Sequence, residues 1–337
     1  MAKHGGKEKH HRTGREKDPG KGGGHGAARG EGNAHDDRPG GGHGHRPAGG
    51  TDGDPGRDGD LRSRLRVAPG SGPVDLTAID PSGTPGGPAG KDQARIETDA
   101  MRLRLAELQE RLFAQSTAGD PRRLLVVLQG MDTSGKGGTI KHVATGLNPT
   151  GVRVTAFKTP TAEERAHPFL WRVRKALPAA GEIGVFDRSH YEDVLIVRVH
   201  DLVPRATWRR RYDAINRFER SLAEEGCTVL KVFLHIGYDE QRERLLARLD
   251  RPSKHWKFTV GDIEERAMWP AYQEAYQTVL ERCSTEAAPW HVVPADRKWY
   301  RNWAISKLLL EHLELIDPQY PPGTFDVEAS RARLLSS

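Results

Sequence analysis

Leu124-Leu125-Val126-Val127-Leu128-Gln129-Gly130-Met131-Asp132-Thr133-Ser134-Gly135-Lys136-Gly137-Gly138 is the stretch on which the fold turns. An apolar run passes straight into a glycine-rich loop carrying a lysine, and a helical pattern opens at Thr139. Such a loop aims several backbone N–H groups at one point at a helix N-terminus, where the macrodipole also favours negative charge. Lys136 adds a mobile cation able to reach terminal phosphates. Residues 130–136 keep the G-x-x-x-x-G-K spacing of a phosphate loop, in the strand–loop–helix context that the bare pattern requires. Gly130, Thr133, Ser134, Gly135, Lys136, Gly137 and Gly138 are therefore the expected phosphate-binding residues, the alternative being a tight turn without a ligand.

After the lysine stands Gly137, where nucleotide hydrolases of this kind carry a Ser or Thr whose hydroxyl holds Mg²⁺. A metal therefore needs another anchor. Asp132 is an acid inside a loop built for anions, and it raises phosphate repulsion unless a cation lies between them. It reads as a metal ligand or a nucleophile-positioning group, against the alternative of a cap on the following turn.

Four further strands are expected, at 152–157, 183–186, 229–236 and 291–293, each short, apolar and bounded by breakers. Helical spacing covers 94–115, 163–177, 205–225, 239–249 and 262–282, with Pro204 and Gly226 placed as start and stop signals. Alternating strands and helices predict an α/β fold with a parallel central sheet covered on both faces. Ligands of such sheets sit beyond the carboxyl ends of the strands.

The third strand candidate runs into Phe186-Asp187-Arg188-Ser189-His190-Tyr191-Glu192-Asp193. An acid closing an apolar strand points its carboxylate into the phosphate crevice, so Asp187 is an expected Mg²⁺ ligand beside Asp132. Arg188 supplies a planar fork for phosphate oxygens. For His190 and Tyr191, structural and substrate-contacting roles stand level. Arg251, Lys254 and Lys257, in a basic and aromatic stretch between two helices, suit a lid over residues 250–262 that neutralises a transferring phosphoryl group on closure. Arg209, Arg210, Arg211 and Arg217 fit a charged helix face as well as a polyanion surface. Trp290, Trp299, Tyr300 and Trp303 read as packing residues.

Composition sets the compartment and the partners. The chain has 337 residues, and the first sixty are Gly, His and charge with almost no large apolar side chain, which predicts a disordered tail. Seven of the fifteen histidines lie there, and the tail has no apolar core of a secretory signal. It holds 11 of the 52 Lys and Arg and 10 of the 46 acids, so the tail is +1 and the body carries +5 of the formal +6. A basic body suits a polyanionic ligand. Residues 61–90, with five prolines, read as an extended arm, 91–320 as the folded domain and 321–337 as a second tail. Cys227 and Cys283 lack metal-type spacing, no apolar run reaches eighteen residues, and a cytoplasmic protein away from membranes is expected.

Taken in order, the loop from Gln129 to Gly138, the Phe186 to Val194 segment, the Arg251 to Phe258 segment and Trp299-Tyr300-Arg301-Asn302-Trp303 resemble the polyphosphate kinase 2 family over about residues 62–320. The resemblance implies a three-layer P-loop kinase fold, like that of thymidylate kinase, with a helical lid. It implies reversible, Mg²⁺-dependent phosphoryl transfer between inorganic polyphosphate and a nucleoside mono- or diphosphate. AMP and ADP stand foremost as acceptors, with GMP and GDP behind them. By motif position the catalytic groups become Asp132, Lys136, Asp187, Arg188 and Arg251, and a homo-oligomer is implied. The turn after Ser189 resembles the branch acting on both AMP and ADP, where Asn at position 187 and Asp at 137 or 138 are common. Here those residues are Asp187, Gly137 and Gly138.

Two other readings compete. A conventional NTP-dependent kinase or NTPase of the same fold would consume ATP or GTP without polyphosphate, but no Asn-Lys-x-Asp guanine motif is present. A non-enzymatic polyanion binder would rely on the tail and the basic helix, and the near-neutral tail speaks against it. Nucleic acid is accordingly not an expected partner.

Overall fold

The computed structural model describes residues 60–337. The Gly- and His-rich tail expected over 1–60 lies, except for Asp60, outside the described residues. Five strands form one parallel sheet: β1 (Arg123–Gly130), β2 (Val152–Ala156), β3 (Ile183–Asp187), β4 (Cys227–His235) and β5 (Trp290–Pro294), in the order β2-β3-β1-β4-β5. The chain steps outward from β1 to β2 and back to β3, then crosses to the other side for β4 and β5. The order therefore reverses at β1, which opens a crevice at its carboxyl end. The phosphate loop begins there.

Helices cover both faces, as the buried strands demand. In chain order they are α1 (Leu61–Leu65), α2 (Lys91–Ser116), α3 (Lys136–Ala144), α4 (Ala162–Ala166), α5 (Trp171–Ala176), α6 (Ile196–Val199), α7 (Arg205–Glu224), α8 (Tyr238–Leu249), α9 (Gly261–Ala267), α10 (Trp269–Cys283), α11 (Lys298–Ile316) and α12 (Val327–Ser336). Alternate residues of β1 feed two cores. Leu124, Val126 and Leu128 pack with α2 and α11, and Leu125 and Val127 pack with α7 and α10. This is the three-layer arrangement expected.

The differences from expectation have local causes. The helix expected over 163–177 is two, α4 and α5, because Pro168 lies between them and its carbonyl accepts from Trp171 N–H at 2.8 Å. The helix expected over 262–282 divides at Met268, beside Pro270. Residues 61–90, read as an extended arm, contain α1 and a 3₁₀ turn (Leu76–Ala78), with Leu61, Leu65 and Leu76 buried. Residues 321–337, read as a tail, carry the exposed α12. Helix α11, whose tryptophans and tyrosine were read only as packing groups, is one of the most buried elements of the chain.

Candidate active site

The loop after β1 is fixed by its carbonyl oxygens. Lys136 Nζ donates to the Gly130 carbonyl at 2.7 Å and to that of Met131 at 3.3 Å. Gln241 Nε2 donates to the Asp132 carbonyl at 3.1 Å. One Arg244 nitrogen serves the Thr133 and Ser134 carbonyls at 2.9 and 3.2 Å, while the other reaches those of Ala295 and Asp296. Arg301 Nη1 adds a second donor to Ser134 at 3.2 Å. Every carbonyl from Gly130 to Ser134 is thus engaged. With these negative ends held by donors, the first-turn amides of α3 are left to face an anion.

Two glycines are obligatory here. Gly130 has φ +153°, and a Cβ would stand 2.7 Å from the Leu234 carbonyl. Gly135 has φ +106°, and a Cβ would lie 1.8 Å from Arg301 Nη1. Gly137 and Gly138 are exposed, with open space beside Gly137.

Across the crevice, β3 delivers Asp187 and Arg188. Pairing sets Leu128 opposite Asp187, so the acid stands level with the carboxyl end of β1. Arg188 takes φ +64°, a left-handed conformation rare for a residue with a Cβ, and its side chain reaches Asp132 Oδ1 at 3.4 Å. Burial acts against Arg188's charge, but Glu192 and Asp132 outweigh it and raise the guanidinium above its ordinary value. Burial pulls the Lys136 ammonium below its usual range, with Asp132 and Asp187 opposing. Glu192 is held above the ordinary carboxyl range by burial, against the pull of Arg188 and Lys136.

Gly130, Asp132, Arg188, Glu192, Gln241 and Tyr276 are among the residues lining a cavity of about 130 Å³ beside the loop. A larger pocket of about 370 Å³ adjoins it, with Arg188 and Glu192 on both walls and Phe157, Arg165, Leu202 and Val203 farther out. A further cavity of about 790 Å³ is open, lies between α1 and α11 and shares no residue with the loop.

Asp132, Lys136, Asp187 and Arg188 are therefore gathered around the crevice. Arg251, Lys254 and Lys257 are not: they stand exposed on and beside a 3₁₀ turn (Pro252–Lys257), and none lines the loop cavity. His190 and Tyr191 are structural. They are wholly buried, with His190 Nε2 3.1 Å from Glu219 Oε1 and the Tyr191 hydroxyl donating to the same oxygen at 2.7 Å. Glu192, Gln241, Arg244 and Arg301 escaped the sequence reading. Glu192, one residue past that pair, and Arg301, inside the Trp299 to Trp303 run, lay within quoted motifs but were given no role.

For a metal, the donor set is oxygen and carboxylate. Among the described residues Asp187 makes no side-chain hydrogen bond or ion pair, and the Asp132 side chain pairs only with Arg188. Two half-buried carboxylates at one crevice fit Mg²⁺, which takes one or two carboxylates and completes its shell with water and substrate phosphates. They do not form a closed protein cage, and no group of three such ligands occurs among the described residues.

A parallel sheet whose central strand opens into this loop, faced by a strand-end acid and arginine, defines a P-loop kinase fold. Residues 89–321 match the family model described as polyphosphate kinase 2, and the chain belongs to that family. It is accordingly a phosphotransferase. It is 50% identical over 258 residues to the AMP/ADP-polyphosphate phosphotransferase of Meiothermus ruber, covering 77% of this chain and 95% of that one. It is 43% identical to the ADP-polyphosphate phosphotransferase of Rhodopseudomonas palustris, covering 66% and 79%. The crystal structure of polyphosphate kinase 2 from Arthrobacter aurescens TC1 superposes with a TM-score of 0.80 at 52% identity, covering 83% of this chain and 98% of the other. No helix among the described residues is long and apolar enough to cross a membrane.

Proposed function

We propose that the chain transfers the terminal phosphoryl group of inorganic polyphosphate to AMP or ADP, with Mg²⁺ held by Asp132 and Asp187. The observation that carries this reading is the shared wall: the pocket of about 370 Å³ abuts the phosphate-loop cavity through Arg188 and Glu192. A nucleotide-sized space thus opens onto an anion cradle. The names of the Meiothermus and Rhodopseudomonas relatives support both the donor and the acceptors.

In this reading the acceptor nucleoside lies against Phe157, Leu202 and Val203, and its phosphate points toward Arg188. The polyphosphate end lies on the α3 amides. One anhydride P–O bond breaks and one forms, with attacking and leaving oxygens in line. The metal, when bound, neutralises charge shared by the two phosphate groups. Lys136 leaves the Gly130 carbonyl and moves to the transferring group. Arg251, Lys254 and Lys257 belong to a lid that reaches the phosphates on closure, which their exposure in this open form permits. A homo-oligomer remains part of the proposal on family grounds.

Product analysis with polyphosphate and Mg²⁺ against AMP, ADP, GMP and GDP tests it. ADP and ATP are expected from the adenine acceptors. Nucleotide consumption that needs no polyphosphate would overturn it in favour of a conventional NTP-dependent enzyme.

A further inference from the structure

Arg301 is an unusual cation among the described residues. It lies in the first turn of α11 with only 4% of its surface exposed. Its guanidinium donates to Asn302 Oδ1, through Nη2 at 2.9 Å and Nε at 3.2 Å, and to the Ser134 carbonyl through Nη1 at 3.2 Å. All three bonds go to neutral oxygens. Among the described residues no carboxylate pairs with it, whereas its neighbour Arg244 has Glu240 at 2.7 Å. Burial, with Arg244 alongside, draws its pKa down to about 10, so the charge is carried at a cost at neutral pH.

Its position explains what such a charge is for. The guanidinium lies directly under the loop: a Cβ on Gly135 would collide with Nη1, and one on Gly138 would lie 3.5 Å from Nη2. It is therefore packed against the backbone at the N-terminus of α3, and it does not line the crevice cavity. A buried positive charge without a counter-ion, placed behind a helix N-terminus that is itself positive, is compensated when an anion docks on the front.

We propose that Arg301 is a positioning residue for the polyphosphate-binding loop, acting through Ser134 and Gly135 without touching substrate, and that the docked polyanion supplies its counter-charge. The inference rests on the proposed function for the identity of the anion. It predicts an effect confined to the donor side, because the pocket assigned to the nucleotide lies across the crevice.

The test compares the wild type with Arg301→Met and Arg301→Lys in full-length protein. KM is measured for polyphosphate and for ADP, and polyphosphate binding is followed by calorimetry without nucleotide. Arg301→Met is expected to raise KM and Kd for polyphosphate about tenfold, equivalent to ~1.4 kcal/mol, with KM for ADP within about twofold. Arg301→Lys, which keeps the charge, is expected to recover most of that loss. Unchanged polyphosphate affinity in Arg301→Met, or a parallel rise in both KM values, would overturn the inference. Should Arg301→Met not fold, Arg301→Gln, which keeps a donor for Ser134, carries the same comparison. A wild type inactive with polyphosphate sinks the proposed function; an active wild type with an indifferent Arg301→Met sinks only this inference.

Discussion

Lys136 Nζ lies 2.7 Å from the carbonyl oxygen of Gly130, six residues back along its own loop. The cation that the proposed function assigns to the transferring group is thus stored against the cradle rather than extended into solvent. Replacing it removes charge from the transferring phosphoryl group but few packing contacts. Lys136→Ala is expected to lower kcat by about 10²–10³-fold, in the range seen when one stabilising donor is removed. Its melting temperature should stay within a few degrees of the wild type. Near-normal turnover in a polyphosphate assay would refute the role given to the loop.

The glycines of the loop divide sharply. Gly135 combines φ +106° with an Arg301 nitrogen where a methyl group would go, and Gly137 has open space and ordinary backbone. Gly135→Ala should therefore destabilise by several kcal/mol and lose activity. Gly137→Ala, at an exposed helical position, should leave stability unchanged or raise it by up to about 1 kcal/mol. Thermal unfolding of the two variants side by side checks the contrast, and equal losses would contradict the loop geometry.

Behind the site, Lys231 and Glu219 form an ion pair at 2.5 Å with both side chains wholly buried. Lys231 also donates to the Tyr191 hydroxyl at 2.8 Å and the Cys283 carbonyl at 2.6 Å. The two charges hold β4 to α7 and to the turn bearing His190 and Tyr191. Lys231→Met leaves Glu219 uncompensated and should cost about 3–5 kcal/mol in urea unfolding. Adding Glu219→Gln should cost less than the two single losses summed. Additive losses would mean that the pair is not coupled.

His291 gives the stability a direction in pH. Burial foremost, with His312 beside it, draws its pKa down from 6.5 to about 3. The folded chain therefore refuses a proton that the unfolded chain accepts. This contribution is intact above about pH 6.5 and is lost as the pH falls from there toward 3, at up to ~1.4 kcal/mol per pH unit. His291→Asn, which keeps a donor for the Lys231 carbonyl, should unfold at a temperature that falls less steeply between pH 6.5 and 4. Parallel curves for the two proteins would exclude this source of acid sensitivity.

Much of this architecture was legible because it is local. Five strands could be read from short apolar runs between breakers, and the loop from its glycine spacing. Asp187 and Arg188 were readable because a strand end dictates where the next side chain points. What stayed hidden acts across the chain. Gln241, Arg244 and Arg301 meet the loop from more than a hundred residues away, and they do so through backbone oxygens, which carry no residue signature. A buried arginine and a solvated one look alike in sequence. The residues proposed for a lid show the opposite case: their basic, aromatic pattern is plain, yet nothing in it sets their distance from the loop.

Three helices, α3, α8 and α11, each send a side chain to the loop's carbonyl oxygens. A cradle tethered from so many directions is already stiff before any anion arrives. Its ordering entropy was lost when the chain folded, so docking need not supply it again. The grip on a phosphoryl group should accordingly be immediate and insensitive to what the group is attached to, leaving selectivity to the opposite wall.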